Sequence, residues 1–364
     1  MNVLISGASI GGPVLAYWLR EHGFDVTVVE RAPEPRRGGQ AIDIRGAALE
    51  VAARMGILEQ ARAKKTDMRG MSMVDGDGNE LMRSTEETIS GGRLDSPDIE
   101  IMRDDLTALV IAASAEGTEY LYGDSIAALD QDDQGVQVTF ESGLRRRFDY
   151  VVGADGLHSN VRGLVFGEES RFINHLGMYV AIYSAANFLD LDRWQVWHRE
   201  GEAGFGLYTV PGNASMRVNI GFGSEPVAYD YRDVEQQKRL IEEHCSELRW
   251  ETPRLLKAMW EADDFYFDAM AQIRMDRWSE GRVTLVGDAG YCASPLSGQG
   301  TSLAMVGAYV LAQELARDTG QAFDRYEQRM RPFVELNQAL ALENPGQAAA
   351  PESVERAANG ITLD

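Results

Sequence analysis

Four glycine-bearing stretches hold most of the residues in this chain that could do chemistry. The first reads Gly7-Ala8-Ser9-Ile10-Gly11-Gly12 and stands between a short apolar run (NVLIS, 2–6) and a segment of helical period. It has the pattern Gly-x-Gly-x-x-Gly with a serine in place of the second glycine. Such a turn lets a helix N-terminus approach a pyrophosphate, where free N–H groups and the helix dipole favour an anion by roughly 0.3–1 kcal/mol per interaction. Glu30 ends the second apolar run (DVTVVE, 25–30), where a carboxylate can accept from the hydroxyls of an adenosine ribose. The second stretch, RRGGQAIDIRG at 36–46, carries Arg36, Arg37, Gln40, Asp43 and Arg45 close behind Arg31. Clustered arginines in an acidic chain suit an anion that the protein would otherwise repel.

The third stretch, VVGADGLHSNVR at 151–162, ends a buried run with Asp155-Gly156 and sets Ser159 and Arg162 one turn further on. A tight turn with a helix cap explains that pattern as well as a ligand does. The fourth, GDAGYCASPLSGQG at 287–300, puts Gly287 and Asp288 after another apolar run, then Pro295 and the step Gly298-Gln299-Gly300 before a long helical pattern. An aspartate there can bind a chain of hydroxyls. Backbone N–H groups at the helix start can stabilise negative charge on a reduced ring such as a reduced flavin.

The elements that must position these stretches are legible. Residues 2–6, 25–30, 148–154 and 282–287 read as buried parallel strands, and 14–23, 46–56, 104–116, 302–317 and 321–342 as helices. From about 175 to 225 the texture changes to alternation with turn residues between (YVAIYSA, WQVWH, FGLYTV, MRVNIGF), the sign of an antiparallel sheet. Polar helical segments (233–248, 252–262) and a strand-like FYFDAMAQIRM follow. The chain therefore leaves a nucleotide-binding domain near 170 and returns to it near 280, and the inserted sheet is the place for a substrate. Alternation puts Gln195 and Trp197 on one face. Arg217 and Asn219 share a face opposite Met216, Val218, Ile220 and Phe222. If the polar face meets the cofactor, Gln195, Tyr208 and Asn219 touch substrate; the alternative is a solvent-facing surface, with Trp194 and Trp197 as packing. Arg145–Arg147 read as a hairpin face. The tail from Asn344 to Asp364, small and polar, reads as a loose end.

Composition narrows the classes. A formal net charge of −22 argues against nucleic acid and anionic membranes. No run approaches a membrane span, and MNVLISG enters a strand with no signal-peptide texture, so a cytoplasmic location is expected. Cys245 and Cys292 are the two cysteines and form no CxxC; the five histidines show no metal-ligand spacing, so no metal is expected. No apolar surface helix stands out, which points to a monomer.

Taken together, the four stretches resemble the FAD-dependent aromatic monooxygenases of the p-hydroxybenzoate hydroxylase fold, in order and spacing across roughly residues 1–340. Within that family the stretches GGQAIDIRG, DDFYFDAMAQIRM and GDAGYCASPLSGQG are most similar to tetracycline-inactivating flavin monooxygenases. The resemblance implies an α/β architecture: a discontinuous Rossmann-like FAD-binding domain (1–170 and 280–345), an inserted antiparallel substrate-binding sheet (171–279), C-terminal helices and a tail (346–364). It implies that Glu30 and Arg31 contact adenosine, Arg103 and Asp43 the FAD, and Asp288 the ribityl chain or pyrophosphate. Pro295 and Gly298–Gly300 would line the flavin ring, and Asp155 and Gly156 would serve FAD and pyridine nucleotide. Gly7, Ser9, Gly11, Gly12, Arg36, Gln40, Arg45 and Gly287 complete the expected cofactor set. NADPH or NADH would reduce FAD, O₂ would give a C4a-hydroperoxide, and its distal oxygen would pass to an electron-rich aromatic or phenolic substrate, with no obligatory protein acid or base. Two positions depart from the family pattern: Ser9 for glycine, and Tyr291 for histidine. A structural flavoprotein guiding a non-redox cyclisation, or a protein that sequesters a drug-like ligand, would share the same cofactor site. A flavin halogenase is disfavoured because its W-x-W-x-I-P stretch is absent, and a pure NAD dehydrogenase because Gly287-Asp288 would have no role.

Overall fold

The computed structural model describes residues 1–35, 38–344 and 349–364. The apolar runs read as parallel strands form one six-stranded sheet. Its order is Ser279–Glu280, Val283–Leu285, Tyr150–Gly153, Asn2–Ser6, Asp25–Glu30 and Thr118–Tyr122, parallel throughout except at the Ser279–Glu280 edge. Val3, Leu4, Ile5, Val151, Val152, Val283 and Leu285 are wholly buried, as near-continuous apolar strands covered on both faces must be. The helix Gly11–Glu21 returns the chain between the first two strands. It buries Val14, Leu15 and Leu19 on one face and stops where Gly23 takes φ +79°. The long helices Gly300–Arg317 and Ala322–Glu343 pack on the same core.

The alternating segments form a second, seven-stranded sheet. Its order is Tyr266–Ile273, Ile173–Ala186, Ser215–Gly223, Ala203–Thr209, Gln195–Glu200, Met71–Val74 and Glu80–Ser84. Tyr183, Leu207, Met216, Val218, Ile220 and Phe222 point to one side, where helices Val234–Cys245 and Thr252–Glu261 cover them with Ile241, Leu255 and Met259. The last two strands come from the first segment of the chain, and Met71–Val74 pairs parallel with Gln195–His198. Sequence reading missed this hairpin. Its signal was Asp77-Gly78 between alternating residues, and Gly78 does take φ +82°.

Arg145–Phe148 is a strand in a small three-stranded sheet, with Arg146 paired to Glu119 and Arg147 to Asp132, so the hairpin-face reading of those arginines holds. The tail reading does not. Pro351–Ala358 is a helix, and Ala357, Ala358 and Leu363 are buried. The Asn337 side chain donates to the Ala357 carbonyl at 3.1 Å, Tyr309 donates to the Asp364 carbonyl at 2.6 Å, and Arg329 pairs with the Asp364 carboxylate at 3.0 Å. The small residues that made the tail look loose are what let it lie close to its neighbours. A Cβ on the tail's Gly360 would stand 2.7 Å from Leu336 Cδ1, and one on Gly46, which faces the tail, 2.4 Å from the Ala358 carbonyl oxygen.

Candidate functional site

At the carboxyl ends of three adjacent parallel strands the chain turns through Gly7, through Ala154-Asp155 and through Val286-Gly287. These turns touch one another with no room for side chains. A Cβ on Gly7, already at φ +108°, would lie 2.4 Å from the Ala154 carbonyl oxygen, and one on Gly12 would lie 1.9 Å from that of Gly7. A Cβ on Gly11 would stand 3.6 Å from Val286 and Ala304, one on Gly287 3.2 Å from Ala304, and one on Gly300 3.6 Å from the Asp288 carboxylate. Stretches that are far apart in sequence, around Gly7 and around Asp288, therefore share one end of one sheet. That is where open α/β sheets bind ligands.

Glu30 closes the first turn. Its carboxylate accepts from Ala8 N–H and Ala32 N–H, each at 2.9 Å, and retains lone pairs for a ribose hydroxyl. Ser9 is half-buried just before the helix, and Arg31 is exposed. Arg36 and Arg37 lie outside the described residues. The Gln40 carbonyl accepts from Arg103 N–H at 3.1 Å, and the Arg103 guanidinium donates to the Gly38 carbonyl at 3.1 Å and lies against Gly39. Asp43 and Arg45 form a buried pair at 2.9 Å, and a Cβ on Gly298 would stand 3.9 Å from the Arg45 guanidinium.

Asp155 is occupied locally. It accepts from Ser6 Oγ, Ser159 Oγ and Val161 N–H, while Ser159 caps the helix Asn160–Phe166. Its carboxylate shapes the turn, and Gly156 follows at φ +83°. Burial lifts the Asp288 carboxyl above the ordinary range; a hydrogen bond to Cys292 opposes the rise and the charge of Asp268 adds to it. Pro295 is exposed at the start of a single 3₁₀ turn. Gly298 is left-handed, and Gln299 is fully buried with neither amide atom partnered.

The polar face of the seven-stranded sheet is turned inward, which rules out the solvent-facing alternative. Arg217 is 8% exposed and donates to the Gly39 carbonyl at 2.8 Å; the Tyr208 hydroxyl accepts from Ala41 N–H at 2.9 Å. Gln195 is fully buried between Ser90 and Trp197. Asn219 shares this face, with its buried Oδ1 unpartnered. Trp197 packs flat on Gly206, whose Cβ would collide with the indole, and Arg83 covers the Trp194 ring at 4.1 Å. Sequence reading passed over His158, which bridges Glu169 at 2.8 Å and Asp268 at 3.2 Å. Burial pulls its imidazole down, but hydrogen bonds to the two carboxylates win and hold it up at about 10. Glu100 and Ser90 were also missed, because an isolated polar residue on a short strand or in a turn carries no motif; Arg217 was placed on the polar face by alternation but not among the residues expected to touch substrate.

These residues fit a dinucleotide with a flavin ring. The helices Gly11–Glu21 and Gly300–Arg317 both begin without a side-chain cap, leaving first-turn N–H groups for an anionic ligand. The glycine path admits a ligand where side chains would block it. Gln299 and Asn219 carry buried polar atoms that await a partner, and such orphans are rare without a function.

A model of the FAD binding domain family matches residues 1–340. The chain belongs to this family of flavoproteins. A flavin-dependent monooxygenase of Legionella longbeachae is 38% identical, over 94% of this chain and 88% of its own. An uncharacterised protein of Mycobacterium tuberculosis is 52% identical, over 100% of this chain and 99% of its own. Among solved structures, the tetracycline destructase Tet(51) superposes with a TM-score of 0.91 at 33% identity, covering 100% of this chain and 99% of that one. The family member described here is thus an FAD-dependent monooxygenase, an enzyme that takes a small-molecule substrate and O₂. The family match and the solved structures agree with the expected fold class and with FAD as the cofactor. No helix among the described residues is long and apolar enough to cross a membrane.

Proposed function

We propose that this monooxygenase hydroxylates a polycyclic aromatic or phenolic compound, with a tetracycline-like antibiotic the leading candidate, and draws its electrons from NADPH or NADH. The observation that carries the reading is the inward polar face of the seven-stranded sheet. Arg217, Asn219, Tyr208 and Gln195 are presented toward the segments that bear Gly39, Ala41 and Ser90. The whole-length likeness to a tetracycline destructase supports the substrate class.

Bound FAD supplies the hydride acceptance and oxygen activation; the chain supplies placement, exclusion of water and electrostatics. In this reading the pyrophosphate lies at the N-terminus of Gly11–Glu21, with Gly7, Ser9, Gly11 and Gly12 around it. Glu30 and Arg31 hold the adenosine, and Asp288 with Gly287 holds the ribityl chain. Pro295, Gly298, Gln299 and Gly300 would line the ring, and Gln40, Asp43, Arg45 and Arg103 would hold the FAD beside that turn. Asp155 and Gly156 would shape the edge where pyridine nucleotide enters. Residues 1–170 and 280–345 form the FAD-binding domain and 171–279 the substrate domain. The hairpin Met71–Ser84 is lent by the first to the sheet of the second, and 346–364 form the tail. We further propose a monomer in the cytoplasm, in keeping with two buried free cysteines among the described residues.

The test is anaerobic reduction of the FAD-loaded protein by NADPH, then turnover of tetracycline under ¹⁸O₂. Substrate-stimulated NADPH oxidation with one ¹⁸O atom in the product is expected. Product formation without NADPH, or tight binding without product, would overturn the reading in favour of a cyclase or a sequestering protein.

A further inference from the structure

Between the Gly298–Gly300 turn and the inner face of the seven-stranded sheet lies a buried cluster with an uneven charge balance. Arg45 faces Asp43 at 2.9 Å and Asp98 at 3.5 Å, and Glu100 stands opposite Asp43 in the antiparallel pairing of Ala41–Ile44 with Ile99–Met102. One guanidinium faces three carboxylates, and Asp43 is the buried one while Asp98 and Glu100 are partly open to solvent, so the proton is driven onto Asp43.

The hydrogen bonds point the same way. Trp197 Nε1 can only donate, and it donates to Gln195 Oε1 at 3.0 Å, which fixes the Gln195 amide with its nitrogen toward Ser90. Ser90 accepts that bond and donates to Glu100, and Thr66 donates to the other oxygen of Glu100. Donors thus converge on Glu100, which suits an ionised acceptor. Asp98 accepts from Gly46 N–H and pairs with Arg45. Asp43 gives one oxygen to Arg45; its other, Oδ1, is buried and has no partner, in a residue only 7% exposed. Ser302, in the first turn of Gly300–Arg317, accepts from Arg45 N–H at 3.0 Å and donates to the Asp43 carbonyl at 3.4 Å, so this strand end is fixed against the turn that begins the helix.

We propose that Asp43 is the acid–base residue of this cleft, its Oδ1 taking the proton of a substrate hydroxyl as the oxygen atom is transferred. The substrate O–H bond breaks, the proton bonds to Oδ1, and the electron pair stays on the substrate oxygen. The resulting phenolate or enolate is the electron-rich form that favours oxygen insertion. The step rests on the phenolic or enolic substrate class proposed above. Burial lifts the Asp43 carboxyl to about 7, with Arg45 opposing the rise and Glu100 and Asp98 adding to it. Both protonation states are then populated near neutral pH, where a general base is most effective.

Two readouts test this on the FAD-loaded protein. The first is the C=O stretch of a protonated carboxyl in infrared difference spectra taken from below to above pH 7. It is expected to titrate in the wild type, to shift on ¹³C-aspartate labelling, and to be missing in Asp43→Asn. The second is kcat/KM for NADPH oxidation stimulated by tetracycline. It is expected to rise with pH through about 7 in the wild type and to keep a rising limb in Asp43→Glu. In Asp43→Asn it should be flat and lower by on the order of 10²-fold, the usual contribution of a positioned base. A rising limb retained in Asp43→Asn, or no aspartate band that titrates, overturns the proposal. Because burial also raises the Asp155 and Asp288 carboxyls, Asp43→Glu decides should Asp43→Asn fail to hold FAD: its titrating carboxyl band should persist and lose the shift on ¹³C-aspartate labelling. A titrating aspartate in a protein that leaves tetracycline intact refutes that substrate while supporting Asp43 as the titrating acid, so the two failures are told apart.

Discussion

Replacing Arg45 with methionine tests the charge arithmetic of the cleft. Arg45 is 8% exposed, pairs with Asp43 and Asp98, and donates to the Gly91 carbonyl at 3.1 Å. Removing one partner of a buried pair leaves an uncompensated charge and costs about 3–5 kcal/mol. The loss should depend on pH with a definite sign. The folded-state Asp43 carboxyl titrates at about 7, above its ordinary value, so Asp43 lowers stability progressively as pH rises toward 7 in the wild type. Without the guanidinium its titration moves higher still, and the variant keeps losing stability beyond the point where the wild type levels off. The deficit of Arg45→Met should therefore grow as pH climbs past 7 and shrink below it. Asp43→Asn combined with Arg45→Met should recover part of the loss, because the buried charge has gone. Urea unfolding of the FAD-loaded proteins at several pH values measures all three. A deficit under about 1 kcal/mol, the range of an exposed pair, would refute the reasoning. So would a deficit that is constant with pH, or a double variant no better than the single one.

Other outcomes follow from the same geometry. Gly12→Ala puts a Cβ 1.9 Å from the Gly7 carbonyl oxygen, so the first helix must move off its strand. A stability loss of about 1–3 kcal/mol is expected, together with weaker FAD retention read from the flavin absorbance of the purified protein. His158 is held as a cation between Asp268 and Glu169, with its folded-state titration raised to about 10. Its stabilising effect is fully present below the ordinary histidine value and is lost as pH rises through 10. The melting-temperature advantage of wild type over His158→Gln should accordingly narrow between neutral pH and pH 10; an advantage that does not change would show the imidazole to be neutral.

The parts of the fold that could be read from the sequence are those with a period or a punctuation mark. The parallel strands are short apolar runs buried on both faces, and the helix Gly11–Glu21 has both its stripe and its stop at Gly23. The inward-facing Arg217 and Asn219 came from alternation in MRVNIGF, though alternation alone could not say which way that face pointed; only the bonds to Gly39 and Ala41 do. Elements held by partners distant in the chain were not legible. Met71–Val74 joins a sheet built from residues more than a hundred positions later, and Ala41–Ile44 depends on Ile99–Met102. The tail was misread because composition records polarity but not the bonds from Tyr309, Arg329 and Asn337 that anchor it. The charge cluster around Arg45 escaped for a similar reason: Asp98 and Glu100 reach it only through the folded pairing of strands.

The account stands or falls on the convergence of the Gly7 and Asp288 turns on one flavin nucleotide. A crystal structure of the protein grown with FAD tests it most directly. The pyrophosphate should lie at the N-terminus of Gly11–Glu21, with the isoalloxazine ring between the Gly298–Gly300 turn and the inner face that carries Asn219. A yellow crystal with its flavin bound elsewhere on the molecule, or bound to one of the two turns and not the other, would contradict it.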